Sequence, residues 1–386
     1  MAKPRSSYLK IDHRNDINKN NEQIVRAMSA KSSCDDDSSS SFYTAESVAS
    51  EDTSQSGTVD PASSANPRVT ISLLDQPAHS SPPDLSKAML LDISQSSSIY
   101  VVYSGAGKSK YIYKHFSSSH TSTYDDEQTQ RLIDSIKNEA RILAEITALH
   151  PEHVACYIDS HMQVSYQLSK LHYECGISME YLATGLEQYL DSKKYSWKAR
   201  YQVAFGLVEC VAAIHACSII HGDIKPDNAR VDAYTGHVKL IDFGFAHHPT
   251  ENKPYRIISG TQGFIAPEII LLASSYGFAA DIYALSVSIW QLLDPETANE
   301  IFDGLDFSPS FFTKPAKKHR ARLKQAQKSC GWRHGVDLSQ SCSPELAALI
   351  KLGWSANPQE RPSAQHIKEC MEEPEYKKPP ASQSRA

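Results

Sequence analysis

The stretch His221-Gly222-Asp223-Ile224-Lys225-Pro226-Asp227-Asn228, followed by Asp242-Phe243-Gly244, decides how this chain is read. It sets an acid, a lysine and an asparagine along one loop and brings in a second acid after a short hairpin. Two carboxylates and an amide at these offsets can orient a hydroxyl nucleophile and hold magnesium against a triphosphate. A single aspartate in such a setting reads as a turn or helix cap, and an isolated Asp-Phe-Gly carries little information. The ordered set, with Ala266-Pro267-Glu268 downstream, points instead to phosphoryl transfer.

Length and composition bound the rest. The 386 residues leave room for a two-lobed domain of roughly 280 residues and an extension of roughly 85. A formal net charge of -6 gives no polyanion footprint, so no nucleic-acid partner is implied. The eight cysteines show neither CxxC pairs nor zinc-ligand spacing, which argues for a reducing compartment. Met1-Ala2-Lys3-Pro4-Arg5 lacks the apolar core of a signal peptide. The apolar region from Tyr201 to Ile220 is interrupted by Gln202, Glu209 and His215, so it reads as a buried helix rather than a membrane span. The expectation is a soluble intracellular protein, cytoplasmic or nuclear, with no membrane partner.

Along the chain, residues up to about Pro83 are rich in serine, with Asp35-Asp36-Asp37 running into Ser38 through Ser41. Few large apolar residues recur there at helical or strand spacing, so ordering the backbone would gain too little burial. The expectation is a disordered tail over 1–84. Ser81, before Pro82, is the site a regulatory reading would choose; a merely solvated tail is the plainer one. From about Leu85 the composition changes. Ile99-Tyr100-Val101-Val102-Tyr103 and Tyr111-Ile112-Tyr113-Lys114 predict two strands, and Gly105-Ala106-Gly107 between them a hairpin turn. Leu132, Ile136, Ala140, Leu143 and Ile146 predict a helix from about Glu127 to Leu149. Strand-like runs follow around 153–158 and 175–182. Helices are predicted near Leu186, before Ile220, around 279–293 and around 344–353. A small sheet-plus-helix lobe followed by a larger helical lobe is an α+β architecture.

On these motifs and their order, residues from about 86 to 371 resemble a eukaryotic-type serine/threonine protein kinase domain. The resemblance implies a two-lobed kinase-like fold over 85–371, with an N-lobe to about 182 and a C-lobe from about 183. Residues 372–386 are then expected to form a disordered C-terminal tail. It implies ATP and Mg2+ as cofactors and serine- or threonine-bearing proteins as substrates; oligomeric state stays open. Asp223 matches the catalytic aspartate, Lys225 the lysine that offsets charge on the γ-phosphate, and Asn228 and Asp242 the metal ligands. Lys114 resembles the lysine that contacts the α- and β-phosphates, and Glu139 its helix partner, with Glu145 as the rival. Backbone groups of Glu180 and Leu182 would meet the adenine edge at the interlobe hinge, with Met179 behind the base or simply in the core. Asp281 matches an aspartate that props the catalytic loop. Glu268 and Arg361 resemble a buried ion pair that anchors the activation segment, and Thr261 a threonine that bonds the catalytic aspartate.

Three stretches depart from the family pattern. The phosphate-covering loop G-x-G-x-x-G corresponds to Ser94-Gln95-Ser96-Ser97-Ser98, without glycine. The hydroxyls of Ser96, Ser97 and Ser98 can donate to phosphate, so weaker nucleotide binding is expected rather than none. Gly105-Ala106-Gly107-Lys108-Ser109 mimics the end of a P-loop, but Val102 stands where the first glycine belongs. Gly222 replaces the arginine that commonly precedes the catalytic aspartate and clamps a phosphorylated activation loop, leaving Thr250, Tyr255 and Ser259 without that receptor. A basic run from Lys314 through Lys317, Lys318, Arg320 and Arg322 to Lys324 reads as a solvated loop, or as a docking or import signal. The leading expectation is an active kinase. A pseudokinase scaffold is the second reading, motivated by the serine loop. A small-molecule phosphotransferase is the third, with Lys225-Pro226, Ala266-Pro267-Glu268 and Arg361-Pro362-Ser363 against it.

Overall fold

The computed structural model describes residues 69–74, 82–94, 97–104, 109–117, 126–167, 170–249, 260–271, 277–303 and 331–380. The N-terminal lobe is one antiparallel sheet of six strands: β1 (Val69–Ser72), β2 (Met89–Ile93), β3 (Ser98–Ser104), β4 (Ser109–Ser117), β5 (Tyr157–Gln167) and β6 (Lys170–Glu180). Their order is β1-β5-β6-β4-β3-β2. Helix α1 (Asp126–Leu149) packs against it. Its buried face runs Ile133, Ile136, Ala140, Leu143 and Ile146, the three-and-four spacing of an amphipathic helix. Each large aliphatic group buried this way contributes about 1.5–3 kcal/mol relative to exposure, so the face rather than propensity holds α1 on the sheet. Leu132, expected on that face, is only partly buried, and Ile133 takes the central place.

The larger lobe is helical. It contains α2 (Leu186–Ser192), α3 (Trp197–Ala216), α4 (Pro267–Ile270), α5 (Phe278–Leu293), α6 (Pro295–Asp303), α7 (Pro344–Gly353) and α8 (Ala364–Glu372). Ser196 caps α3, its side chain accepting from the Ala199 N–H, and the helix stops where Ser218 adopts φ +58°. Helices α3 and α5 are buried on nearly all sides and form the lobe's centre, in line with the reading of 201–220 as a core helix. A small sheet of β7 (Thr184–Gly185), β8 (Ala229–Val231) and β9 (Val238–Leu240) lies under the hinge. It matters because the loop 221–228 ends directly into β8 and Asp242 follows β9.

Two boundaries are corrected. The expected tail 1–84 contains β1, which pairs with β5 from Val69↔Val164 to Ser72↔His161, and Leu73 is buried in the core. Four residues alternating Val-Thr-Ile-Ser supply too short a signal to stand out from a polar stretch. Past Glu372, the expected C-terminal tail continues into a turn, and Tyr376 packs against the core. The strand predicted at 153–158 begins at Tyr157. Before it, His153 and Ala155 bond to Leu240, tying the lobes: the Leu240 N–H donates to His153 O at 2.9 Å and the Ala155 N–H to Leu240 O at 2.9 Å. Ser104 pairs with Ser109, so a strand and not a helix follows Gly105-Ala106-Gly107 in the sequence, as a hairpin requires. Residues 105–108 themselves, Ser81, Thr250, Tyr255, Ser259 and the basic run 314–324 lie outside the described residues.

Candidate active site

Buried Asp281 on α5 organises the loop from His221 to Asn228. Its carboxylate accepts from the N–H of His221 at 2.8 Å and of Gly222 at 2.9 Å, and contacts His215 Nε2 at 2.9 Å. Burial pushes its carboxyl up, but the His215 contact and the backbone donors more than offset this, leaving it below the usual aspartate range. Gly222 has φ +80°, and a side chain there would meet Phe245 Cβ and O at 3.2 Å. The position suits glycine for both reasons. His221 is fully buried and packs on Phe243, ring centroids 4.9 Å apart; burial holds it neutral, pulling its pKa down against the nearby aspartates.

The loop then delivers its functional groups to one point. Asp223 Oδ1 accepts from Thr261 Oγ1 at 2.8 Å, and Oδ2 accepts from Lys225 Nζ and from Asn228 Nδ2, both at 2.9 Å. Asn228 Nδ2 also donates to Asp223 O at 2.9 Å, and Lys225 donates to Thr261 Oγ1. Pro226 opens the short 3-10 turn Pro226–Asn228 that brings the amide back over the aspartate.

Asp242 adopts φ +62°, an uncommon conformation for a residue other than glycine. Its Oδ1 accepts from Lys114 Nζ at 2.9 Å, and the same ammonium donates to Glu139 Oε1 at 2.7 Å. Lys114 and Glu139 are buried, while the Asp242 side chain is 46% exposed toward the cleft. Burial alone would discharge Lys114, but two carboxylates overcome it and raise its pKa. For Glu139, burial pushes the carboxyl up and Lys114 opposes; for Asp242, Lys114 outweighs burial and the carboxyl is held down. The expected ion pair is therefore formed. Glu145, the rival, instead meets His248 Nε2 at 3.2 Å. Asn138, next to Glu139, donates to Ala246 O at 2.8 Å, pinning α1 to the segment after Asp242.

The ceiling of the cleft is less regular. Ser96 lies outside the described residues. Ser97 and Ser98 are buried, and Ser97 is engaged by Ser94: its N–H donates to Ser94 Oγ at 3.0 Å, and its carbonyl accepts from the Ser94 N–H at 2.8 Å. The Ser97 hydroxyl is taken up by Ser94 Oγ, also 3.0 Å away, so the turn spends polar groups expected for phosphate on itself. At the hinge, the Glu180 N–H donates to Cys156 O at 2.8 Å, and Leu182 follows the strand end. Met179 is buried.

Several contacts carry no sequence signal. Lys239 on β9 donates to Glu180 Oε2 at 2.7 Å, and the Cys156 N–H donates to the same oxygen at 3.1 Å, bracing the hinge from behind. His215 on Asp281 and His248 on Glu145 are similarly distant in sequence from their partners, and one chain without periodicity or a motif at those positions does not reveal them. Farther down, Arg361 grips Glu268 with two bonds, Nη1–Oε1 at 2.6 Å and Nη2–Oε2 at 2.8 Å, and also donates to Ala279 O and Ser355 O. This is the expected buried pair, fully bonded.

Among the described residues no three His, Cys, Asp or Glu side chains gather as a metal cage. No described helix is long and apolar enough to cross a membrane. Comparison with known proteins agrees with the geometry. Residues 94–372 match the protein kinase domain model. The mouse (Mus musculus) liver/testis phosphorylase b kinase gamma catalytic chain is 30% identical over 174 residues, 43% of this chain and 40% of that protein. A serine/threonine/tyrosine-protein kinase of Arabidopsis thaliana is 27% identical over 254 residues, 65% of this chain and 57% of that protein. The chain thus spans less than two thirds of the length of these relatives. With the match running from the serine turn to α8 and enclosing every group gathered around Asp223 and Lys114, the chain belongs to the protein kinase domain family.

Proposed function

We propose that this chain is an ATP- and magnesium-dependent kinase that transfers a phosphoryl group to serine or threonine hydroxyls of protein substrates. The observation that carries the reading is the environment of Asp223, held by Thr261 on one oxygen and by Lys225 and Asn228 on the other. A carboxylate fixed from both sides can orient an incoming alcohol and accept its proton late, which is what a loose phosphoryl-transfer transition state asks of a base. Lys225, already beside the carboxylate, is placed to offset charge on the transferring group.

The residues also fit magnesium. The Asn228 amide nitrogen is spent on Asp223, leaving its carbonyl oxygen as the donor; Asp242 spends Oδ1 on Lys114, leaving Oδ2. Two hard oxygens without a full cage suit an ion that completes its shell with phosphate oxygens and water. When bound, the ion neutralises charge on the β- and γ-phosphates. Lys114, kept charged here by two carboxylates, would hold the α- and β-phosphates.

Gly222 supports one regulatory consequence: activity that does not depend on a phosphorylated activation segment, because the arginine that would clamp the phosphate is missing. The cysteine usage supports an intracellular setting, and hence intracellular protein substrates. The reading is tested by melting the full-length protein with millimolar nucleotide, with and without magnesium. Stabilisation by RT ln(1 + [L]/Kd), larger with magnesium, is expected; no shift in either condition contradicts it. Phosphoamino-acid analysis of a labelled substrate then separates serine and threonine from tyrosine acceptors.

A further inference from the structure

Lys114, bonded to Glu139 and Asp242, fixes which face of the six-stranded sheet looks into the cleft. Side chains alternate along a strand, so Ile112, two residues earlier on β4, shares that face. Directly opposed residues of antiparallel strands share a face as well. The register sets Val101 of β3 and Met179 of β6 against Ile112, and Ile99 of β3 against Lys114. The ceiling beside the hinge is therefore the cross-sheet row Val101, Ile112, Met179, one position in from Glu180. Val101 and Met179 are buried, and Ile112 is partly buried against the core.

A flat base entering toward the Glu180 carbonyl must slide beneath this row. In protein kinases the strand lysine closes a Val-Ala-Ile-Lys segment, so the residue two before it is alanine. Here a sec-butyl group hangs where a methyl would, partly buried against the core. Ile99, directly opposite Lys114, adds a second branched side chain on the same face.

We propose that Ile112 is a specificity-determining residue of the nucleotide site: its branched side chain narrows the base slot from above. The site then holds adenine nucleotide more weakly than an alanine ceiling would, and its KM for nucleotide is raised accordingly. This rests on the phosphotransfer reading above.

The test uses the full-length protein and its Ile112→Val and Ile112→Ala variants. Magnesium-ATP affinity is measured by calorimetry, and KM and kcat by phosphate transfer, with the ligand-free melting temperature as a check of folding. The expected result is a stepwise fall in Kd and KM, on the order of tenfold by alanine, with kcat changing less than about twofold. Should the alanine variant fold poorly, the valine variant decides, because a smaller tightening is expected from it. Phosphate transfer by the natural chain with no tightening in the folded variants overturns the inference and leaves the kinase reading standing. Binding by Ile112→Ala alone supports the inference and contradicts activity of the natural chain. No binding by any of the three overturns both.

Discussion

The floor and the ceiling of this cleft are built on different principles. On the floor, Asp223, Asn228 and Lys225 are bonded to one another and to Thr261, and their loop hangs from Asp281. Each of these side chains is fixed by at least one named hydrogen bond. On the ceiling, the serine turn bonds to itself, and the face above the base carries branched apolar side chains placed by strand register alone. Proton acceptance and metal binding need fixed atoms of fixed type, whereas covering a base or a phosphate needs only shape. A sequence can therefore change its ceiling, at a cost in affinity, while its floor stays recognisable.

The sharpest way to break this contrast is to substitute one residue on each side. Asp223→Asn preserves size and removes the proton acceptor; phosphate transfer should fall by about 10²–10⁴-fold. Ser97→Ala, which removes only a hydroxyl already satisfied within its own turn, should change it less than about threefold. Steady-state rates on one substrate give both. Equal losses would erase the distinction between floor and ceiling.

Stability provides the next test. Arg361→Met keeps the bulk of the side chain but leaves Glu268 charged and unpaired, and should cost about 3–5 kcal/mol in urea unfolding. The same experiment on Lys239→Met should cost about 1 kcal/mol, since Glu180 is 30% exposed and water screens the pair. Lys239 ties floor to hinge, so its loss should also raise the KM for nucleotide several-fold with little change in kcat. A KM that does not move would show that the brace behind Glu180 is not felt at the base.

The smallest expected effect is with pH. His221, His153 and His161 are all pulled below the ordinary 6.5 by burial. The unfolded chain thus binds more protons than the folded one once pH drops under about 6.5, and stability must fall with pH from there. Their contribution is fully present above about 6.5 and is lost as pH falls through the lower folded values. A melting temperature that drops by a few degrees between pH 7.5 and 5.5 is expected, and His221→Asn should flatten the slope. A melting temperature that rises over that interval would contradict the lowered pKa values of these histidines.

Much of the floor was legible because its chemistry is compressed into short spacings. Asp223 to Asn228 is one turn of chain, and Asp242 follows one hairpin later, so residue type and offset already imply the geometry. The Lys114–Glu139 pair was legible for a different reason: the family resemblance matched Lys114 at its strand end and Glu139 within the predicted helix, while periodicity gave only the helix itself. The ceiling was not legible in the same way. Whether Ile112 faces the base or the outside depends on the register β3–β4–β6, which is fixed only when three strands meet. The brace of Lys239 on Glu180 joins positions with no periodic or motif relation. Strand β1 escaped notice because four alternating residues within a polar stretch look like the stretch around them.

The central claim is that Lys114, Asp223, Asn228 and Asp242 form one phosphotransfer centre. It is tested most directly by incubating the full-length protein with γ-labelled ATP, magnesium and a generic protein acceptor, beside Asp242→Ala. Label on serine or threonine with the natural chain, reduced to background in the variant, is the predicted result. Equal label from both proteins, or none from the natural chain, would contradict it.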